Sequence, residues 1–330
     1  MNINIIREED FTEQIHTVIA DFRKEHVTEG EFTSWDGTVL HYYMAHHPKA
    51  KGTIVISHGF CEFFGKYHEV SYYFYEMGYS FFFLDHRGHG YSERKVPEWD
   101  KVYVKDYQEY VEDFRCFMEQ IVLPEMKKHG EAQEKLYIFA HSMGGAIATL
   151  FLEQYPGYFK AAVLSSPLME MNVGKYPTFL VRILMGWAKL AGWDYQYVPG
   201  QKGFDRIPVF PTSSTLSLPR YEYVFQQRLE NPHFQTYGGC YAWTRASLKA
   251  TRQVIKQAEK IEVPVLLLEA GRDTMVKNEG HIRFCKKAKN VRFITYDDAK
   301  HEIFNALQAT IDKYYEDVFG FLEEQGAASI

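Results

Sequence analysis

The chain has 330 residues, with 37 Lys and Arg against 43 Asp and Glu for a formal net charge of −6. It therefore has no basic field to hold nucleic acid, and no nucleic-acid partner is expected. Apolar residues make up 46% and charged residues 24%, which excludes a disordered chain and leaves 25 Phe, 24 Tyr and 5 Trp as the compositional excess.

The amino terminus carries Arg7, Glu8, Glu9 and Asp10 where a secretory leader would need a basic region and an apolar run. Nowhere does the chain approach the roughly 18 to 20 uncharged apolar residues of a spanning helix. Cys61, Cys116, Cys240 and Cys285 are widely spaced and read as reduced thiols. The expectation is a cytoplasmic protein, with peripheral contact at the inner face of the membrane left open.

Short apolar runs alternate with longer helical patterns. Strands are expected at Gly30–Trp35 and Val39–Ala45, joined across the turn signal Asp36-Gly37. Thr53–Ser57 is the next strand, and it runs into His58-Gly59-Phe60-Cys61-Glu62. A helix is expected at Tyr67–Met77 and a strand at Ser80–Asp85, followed by the loop Asp85-His-Arg-Gly-His-Gly-Tyr-Ser92. Two histidines three apart in that loop are weak grounds for a metal. Asp85 and Arg87 are read as groups that tie the loop down.

After a helical stretch at Tyr103–His129, the strand Lys135–Ala140 turns into Ala140-His141-Ser142-Met143-Gly144, with a small-residue helix at Gly144–Tyr155. This is a nucleophile elbow with Ala140 in place of the first glycine. Small residues are needed there because strand and helix backbones approach closely while the serine hydroxyl is held at the corner. A serine hydroxyl needs a base, and the base needs an acid to fix its tautomer.

After the strand Ala161–Ser165 the rhythm stops. Phe179–Trp193 reads as a largely apolar helix, followed by the Pro/Ser/Thr-rich stretch Pro208–Pro219 and a helical pattern at Arg220–Leu229. Residues 168–244 are expected to form a helical cap inserted between the two core parts, 1–167 and 245–330. By pattern alone the apolar helix is as well suited to a buried core as to a lipid-facing lid.

The rhythm resumes at the strand Val263–Glu269, which leads to Gly271-Arg272-Asp273. After a helix at Glu279–Lys287 and the strand Val291–Tyr296 comes Asp297-Asp298-Ala299-Lys300-His301, and then a helix at Glu302–Glu323. Ser142, Asp273 and His301 are the expected nucleophile, acid and base. Asp297 and Asp298 are rivals for the acid without a strand-end position, and Glu302 reads as an acid at a helix start. The N–H groups of Phe60 and Met143 are the expected oxyanion donors. The fold class is α/β, a mostly parallel central sheet covered by helices.

The triad order, the His58–Glu62 loop and the Asp85–Ser92 loop resemble the monoacylglycerol lipase and lysophospholipase branch of the α/β-hydrolases. Tyr137–Leu152 and Gly238–Ser247 are similar to the bacterial lysophospholipases in particular, and the likeness runs from about residue 30 to 322. The resemblance implies an α/β-hydrolase fold and cleavage of the single acyl ester of a lysophospholipid or monoacylglycerol, by a triad at Ser142, Asp273 and His301. No cofactor or metal is implied. Phe60, Cys61, Tyr176, Phe179 and Trp187 are the expected substrate contacts, with membrane contact through the cap. Phe60 stands where relatives carry a small residue and Ala140 where they carry glycine, which bears on the shape of the acyl pocket. On the same scaffold, acyl transfer would also serve an aminopeptidase or amidase, and an idle ligand-binding module is the reading from outside enzymes.

Overall fold

The computed structural model describes residues 4–327. Ten strands form in chain order: β1 (Thr28–Thr33), β2 (Val39–Ala45), β3 (Gly52–Ser57), β4 (Tyr79–Leu84), β5 (Lys101–Val102), β6 (Leu136–His141), β7 (Ala161–Ser165), β8 (Gly238–Gly239), β9 (Val265–Ala270) and β10 (Val291–Tyr296). Eight of them make one sheet in the order β1-β2-β4-β3-β6-β7-β9-β10, and β5 and β8 pair separately. β1 with β2 and β2 with β4 run antiparallel, and every other pairing in the large sheet is parallel.

The sequence dictates this arrangement by burial. β3, β4, β6, β7 and β9 are buried at every position, and alternate residues feed opposite faces. Val55, Phe82, Ile138, Leu164 and Leu267 pack into one apolar layer; Ile54, Phe81, Phe83, Phe139 and Leu266 pack into the other. Helices Tyr107–Phe117, Met143–Gln154 and Tyr241–Lys256 contribute to the first layer; His68–Glu76 and Gln308–Ala327 contribute to the second. The β1–β2 turn forms as its residues require: Gly37 takes φ +84°, and Asp36 accepts the Thr38 N–H at 3.2 Å.

The long helical stretch expected at Tyr103–His129 is divided. Asp106 caps Tyr107–Phe117 by accepting the Gln108 N–H at 3.1 Å, a π-helical segment covers Met118–Val122, and Leu123–Lys128 follows. Pro124 has no N–H to give to the preceding turn, which accounts for the wider turn just before it. Two amino-terminal helices, Phe11–His16 and Val18–His26, lie outside the expected elements and bury Phe11, Ile15, Ile19 and Phe22.

Between β7 and β9 the chain builds helices Thr178–Leu190, Leu218–Glu230 and Tyr241–Lys256. The last of these runs through residue 244 without interruption. Thr178–Leu190 turns Met185 and Ala188 inward against Tyr241 and Leu248. Its Phe179, Leu180, Ile183, Leu184, Trp187 and Leu190 are exposed, Trp187 by 67% and Leu190 by 81%. This helix is therefore not a buried core helix.

Candidate active site

The corner between β6 and helix Met143–Gln154 is Ser142, at φ 51° and ψ −117°. An L-residue held there costs on the order of 1–3 kcal/mol, and the surroundings supply the restraint. The Ser142 N–H donates to Ser165 O at 3.1 Å, and the Leu168 N–H donates to Ser142 O at 2.8 Å. Packing enforces the same corner. A Cβ on Gly144 would lie 2.1 Å from Ser57 O, so only glycine lets the helix approach β3 this closely. Ala140, in the place of the first glycine of the elbow pattern, is wholly buried in β6.

The structure brings Ser142, Asp273 and His301 together from three separate loops. His301 Nε2 lies 2.7 Å from Ser142 Oγ, and His301 Nδ1 lies 2.6 Å from Asp273 Oδ2. Asp273 follows β9 and His301 follows β10, both at the carboxyl ends of parallel strands. Asp273 Oδ1 accepts the N–H groups of Met275 at 2.7 Å and Val276 at 3.0 Å. Burial alone would raise the Asp273 carboxyl; the His301 charge and these hydrogen bonds outweigh it and hold the group below the usual carboxylate range. A carboxylate fixing one imidazole nitrogen leaves the other to accept a hydroxyl proton.

Among the described residues, neither the Phe60 N–H nor the Met143 N–H donates to a protein acceptor. Phe60 stacks on Trp243, with ring centroids 4.0 Å apart. Cys61 takes φ 58°, and its carbonyl accepts a hydrogen bond from Arg228. Burial pushes the Cys61 thiol well up, so this group is a packing element and not a reactive thiolate. Tyr176, Phe179 and Trp187 are exposed by 71%, 60% and 67%.

A buried ionic cluster behind these loops has no counterpart in the sequence reading. Glu62 accepts the Gly59 N–H at 2.5 Å and the Tyr67 hydroxyl at 2.6 Å, and its Oε1 lies 3.0 Å from Lys66 Nζ. Lys66 Nζ also donates to Glu302 Oε1 at 2.7 Å. Burial would raise Glu62, but the charges of Lys66 and His141 hold it well below the usual range. His141 bridges onward, its Nδ1 3.3 Å from Glu62 Oε2 and its Nε2 3.3 Å from His301 O. Glu302 does stand at a helix start, as the N-cap residue of the short 3₁₀ helix Ile303–Asn305, but its carboxylate is occupied by Lys66, Ser214 and Asn305. The four-residue spacing of Glu62 and Lys66 was the available signal, but the pairing with Glu302 spans 236 residues.

In the loop after β4, Arg87 is buried and held by Asp113 at 2.5 Å, Glu109 at 2.8 Å and Asp36 at 3.1 Å. His86 N donates to His58 Nε2 at 3.0 Å, while His58 Nδ1 lies 2.7 Å from Gly59 O. These histidines brace the loop carrying Phe60. Away from the site, His46, Glu125 and His129 have ligand atoms close enough to share an ion. The two imidazoles stack 3.7 Å apart at 9°, so their in-plane lone pairs run side by side and do not converge.

With this geometry in view, residues 48–308 match the family described as serine aminopeptidase, S33. The chain belongs to this family. It is an α/β-hydrolase of the lysophospholipase and monoglyceride lipase type, as its relatives indicate. It is 31% identical to lysophospholipase L2 of Escherichia coli K12 over 269 residues, covering 81% of this chain and 77% of the relative. It is 27% identical to monoacylglycerol lipase of Mycolicibacterium smegmatis over 264 residues, covering 77% and 82%. A solved soluble variant of monoglyceride lipase from Saccharomyces cerevisiae superposes with a TM-score of 0.70 at 19% identity, covering 90% and 94%. At that identity the likeness speaks for the fold.

Proposed function

We propose that this protein is a serine carboxylester hydrolase that cleaves the acyl ester of lysophospholipids or monoacylglycerols through an acyl-enzyme on Ser142. One observation carries the reading: the unbroken chain from Ser142 Oγ through His301 to Asp273, with hydrogen bonds of 2.7 and 2.6 Å, at a strained strand-to-helix corner. The names of the relatives supply the substrate class.

In this mechanism His301 Nε2 takes the Ser142 proton as Oγ attacks the ester carbonyl. The Phe60 and Met143 N–H groups hold the oxyanion, and Asp273 stabilises the imidazolium. His301 then gives its proton to the departing glycerol or glycerophosphoryl oxygen. Water, deprotonated by the same imidazole, attacks the acyl-enzyme and releases the fatty acid. The segment 168–244 acts as the cap over this site, with Phe60, Cys61, Tyr176, Phe179 and Trp187 along the path of the acyl chain. No helix among the described residues is long and apolar enough to cross a membrane. The exposed apolar side of Thr178–Leu190 is what would lie on a lipid surface, giving peripheral contact at the cytoplasmic face.

The family description raises aminopeptidase activity as a second reading. A peptide amino terminus needs a carboxylate to receive it, and the carboxylates flanking the site loops, Glu62 and Glu302, are both engaged by Lys66. The ester reading is therefore preferred. Ser142→Ala is expected to abolish both fluorophosphonate labelling and release of fatty acid from lysophosphatidyl lipids and monoacylglycerols. Full esterase activity in that variant would overturn the proposal, and release of amino acids from aminoacyl arylamides faster than fatty acid would favour the peptidase.

A further inference from the structure

A cavity of about 820 Å³ opens between helix Thr178–Leu190, helix Tyr241–Lys256 and the segment that carries Arg283 and Lys287. Its charged lining runs against the net charge of −6 for the whole chain. Three of its cations are already matched: Arg245 by Asp194 at 2.6 Å, Lys249 by Asp106, and Arg283 by Glu170. Arg182, Arg252, Lys256 and Lys287 also line it, and none of these four has a carboxylate partner within ion-pair distance among the described residues. Arg182 Nε is buried and has no acceptor among the described residues. Burial, and then the neighbouring Arg252 charge, push the Arg182 guanidinium below its ordinary range, and the Glu170 charge only partly offsets them. Seven cations gathered around one lining carboxylate, Glu170, leave an anion-shaped deficit, and guanidinium forks suit phosphate oxygens.

The same helix that brings Arg182 and Thr178 to this cavity exposes Ile183, Leu184, Trp187 and Leu190 to solvent. Cations beside an exposed apolar helix face match a lipid whose tails lie against the face and whose charged head enters the cavity. We infer that this cavity binds the phosphate of an anionic phospholipid in the bilayer, so that the protein docks selectively on negatively charged membranes. The inference rests on the reading of Thr178–Leu190 as a membrane-facing helix and adds the headgroup it selects.

Co-sedimentation of the full chain with vesicles tests it, comparing pure phosphatidylcholine with phosphatidylcholine containing about one third phosphatidylglycerol. The wild type is expected to bind the anionic vesicles about tenfold more tightly, with the preference falling as salt is raised. Arg182→Gln with Arg252→Gln is expected to remove that preference, while weak binding to neutral vesicles and turnover of a short soluble ester stay as in the wild type. Equal binding of the wild type to both vesicles, or a preference that survives in the double variant, overturns the headgroup assignment and leaves the apolar contact standing. Failure to bind either vesicle overturns both. Soluble glycerol 3-phosphate supplies the control: thermal stabilisation of the wild type by it, with no vesicle preference, would make this a site for a free phosphate ester and overturn the membrane assignment.

Discussion

The Glu62 carboxylate accepts the Gly59 backbone N–H at 2.5 Å, one residue before Phe60. Glu62 is itself pinned by Lys66 and Tyr67, so the loop proposed to supply an oxyanion donor rests on a buried charge cluster shared with Glu302, the neighbour of His301. A Cβ on Gly59 would lie 2.7 Å from Glu62 Oε2, which is why the loop has no side chain there. Glu62→Gln keeps the shape and removes one of the two carboxylate charges on Lys66. Turnover of a short ester is expected to fall roughly 10- to 100-fold, less than the roughly 100- to 1000-fold loss when an oxyanion donor is removed outright. Stability should fall by roughly 1–3 kcal/mol, because the buried Gly59 N–H and Tyr67 hydroxyl lose a charged acceptor while Lys66 keeps Glu302. Unchanged turnover would separate this cluster from the chemistry.

Asp273→Asn should leave the fold intact and lower kcat on the order of 10³- to 10⁴-fold, because an amide no longer holds the imidazole in the productive tautomer. Steady-state kinetics on a short ester with a melting scan checks this. If the variant keeps more than about a tenth of its activity, Asp297 or Asp298 takes the acid's role.

Glu153 has both carboxylate oxygens buried without a hydrogen-bond partner among the described residues, and burial raises its pKa to about 9, with Lys260 only partly offsetting this. The folded state therefore binds a proton that the unfolded chain, near pKa 4.5, has released. Its contribution to stability is full below pH 4.5 and is lost as pH rises toward 9. Glu153→Gln should raise the melting temperature at pH 8 by at least about 2 °C and have little effect near pH 4.5. A variant less stable than the wild type at pH 8 would show that the carboxylate is ionised and solvated in the fold.

Ile183→Ser with Leu184→Ser removes two exposed apolar side chains from the outer side of Thr178–Leu190. Partial burial of each in a lipid interface is worth about 1 kcal/mol, so losing both should lower vesicle affinity roughly 30-fold. Turnover of a water-soluble ester should hold, since neither side chain is part of the acyl path. Equal vesicle binding by variant and wild type would place the lipid contact elsewhere.

Much of this was legible in the residues alone. Burial on both faces of a parallel sheet writes continuous apolar runs such as Ile54-Val55-Ile56 and Leu266-Leu267-Leu268, and each expected core strand forms within two residues of its expected bounds. The elbow shows because steric closeness at Gly144 and an exposed hydroxyl at Ser142 are local demands that one stretch of chain must meet. The amino-terminal helices and Tyr241–Lys256 went unassigned, although Phe11, Ile15, Ile19 and Phe22 carry a helical period.

Sequence by itself determined the strands, the corner that holds Ser142 and the order of Ser, Asp and His, since these follow from local sterics and from apolar period. Tertiary structure decided which of several acids faces His301, that Glu62 and Glu302 share Lys66, and that the apolar helix Thr178–Leu190 turns most of its large side chains to solvent. Those outcomes depend on contacts between residues far apart in the chain, where the energy of a charge or an apolar surface is set by what the fold places against it.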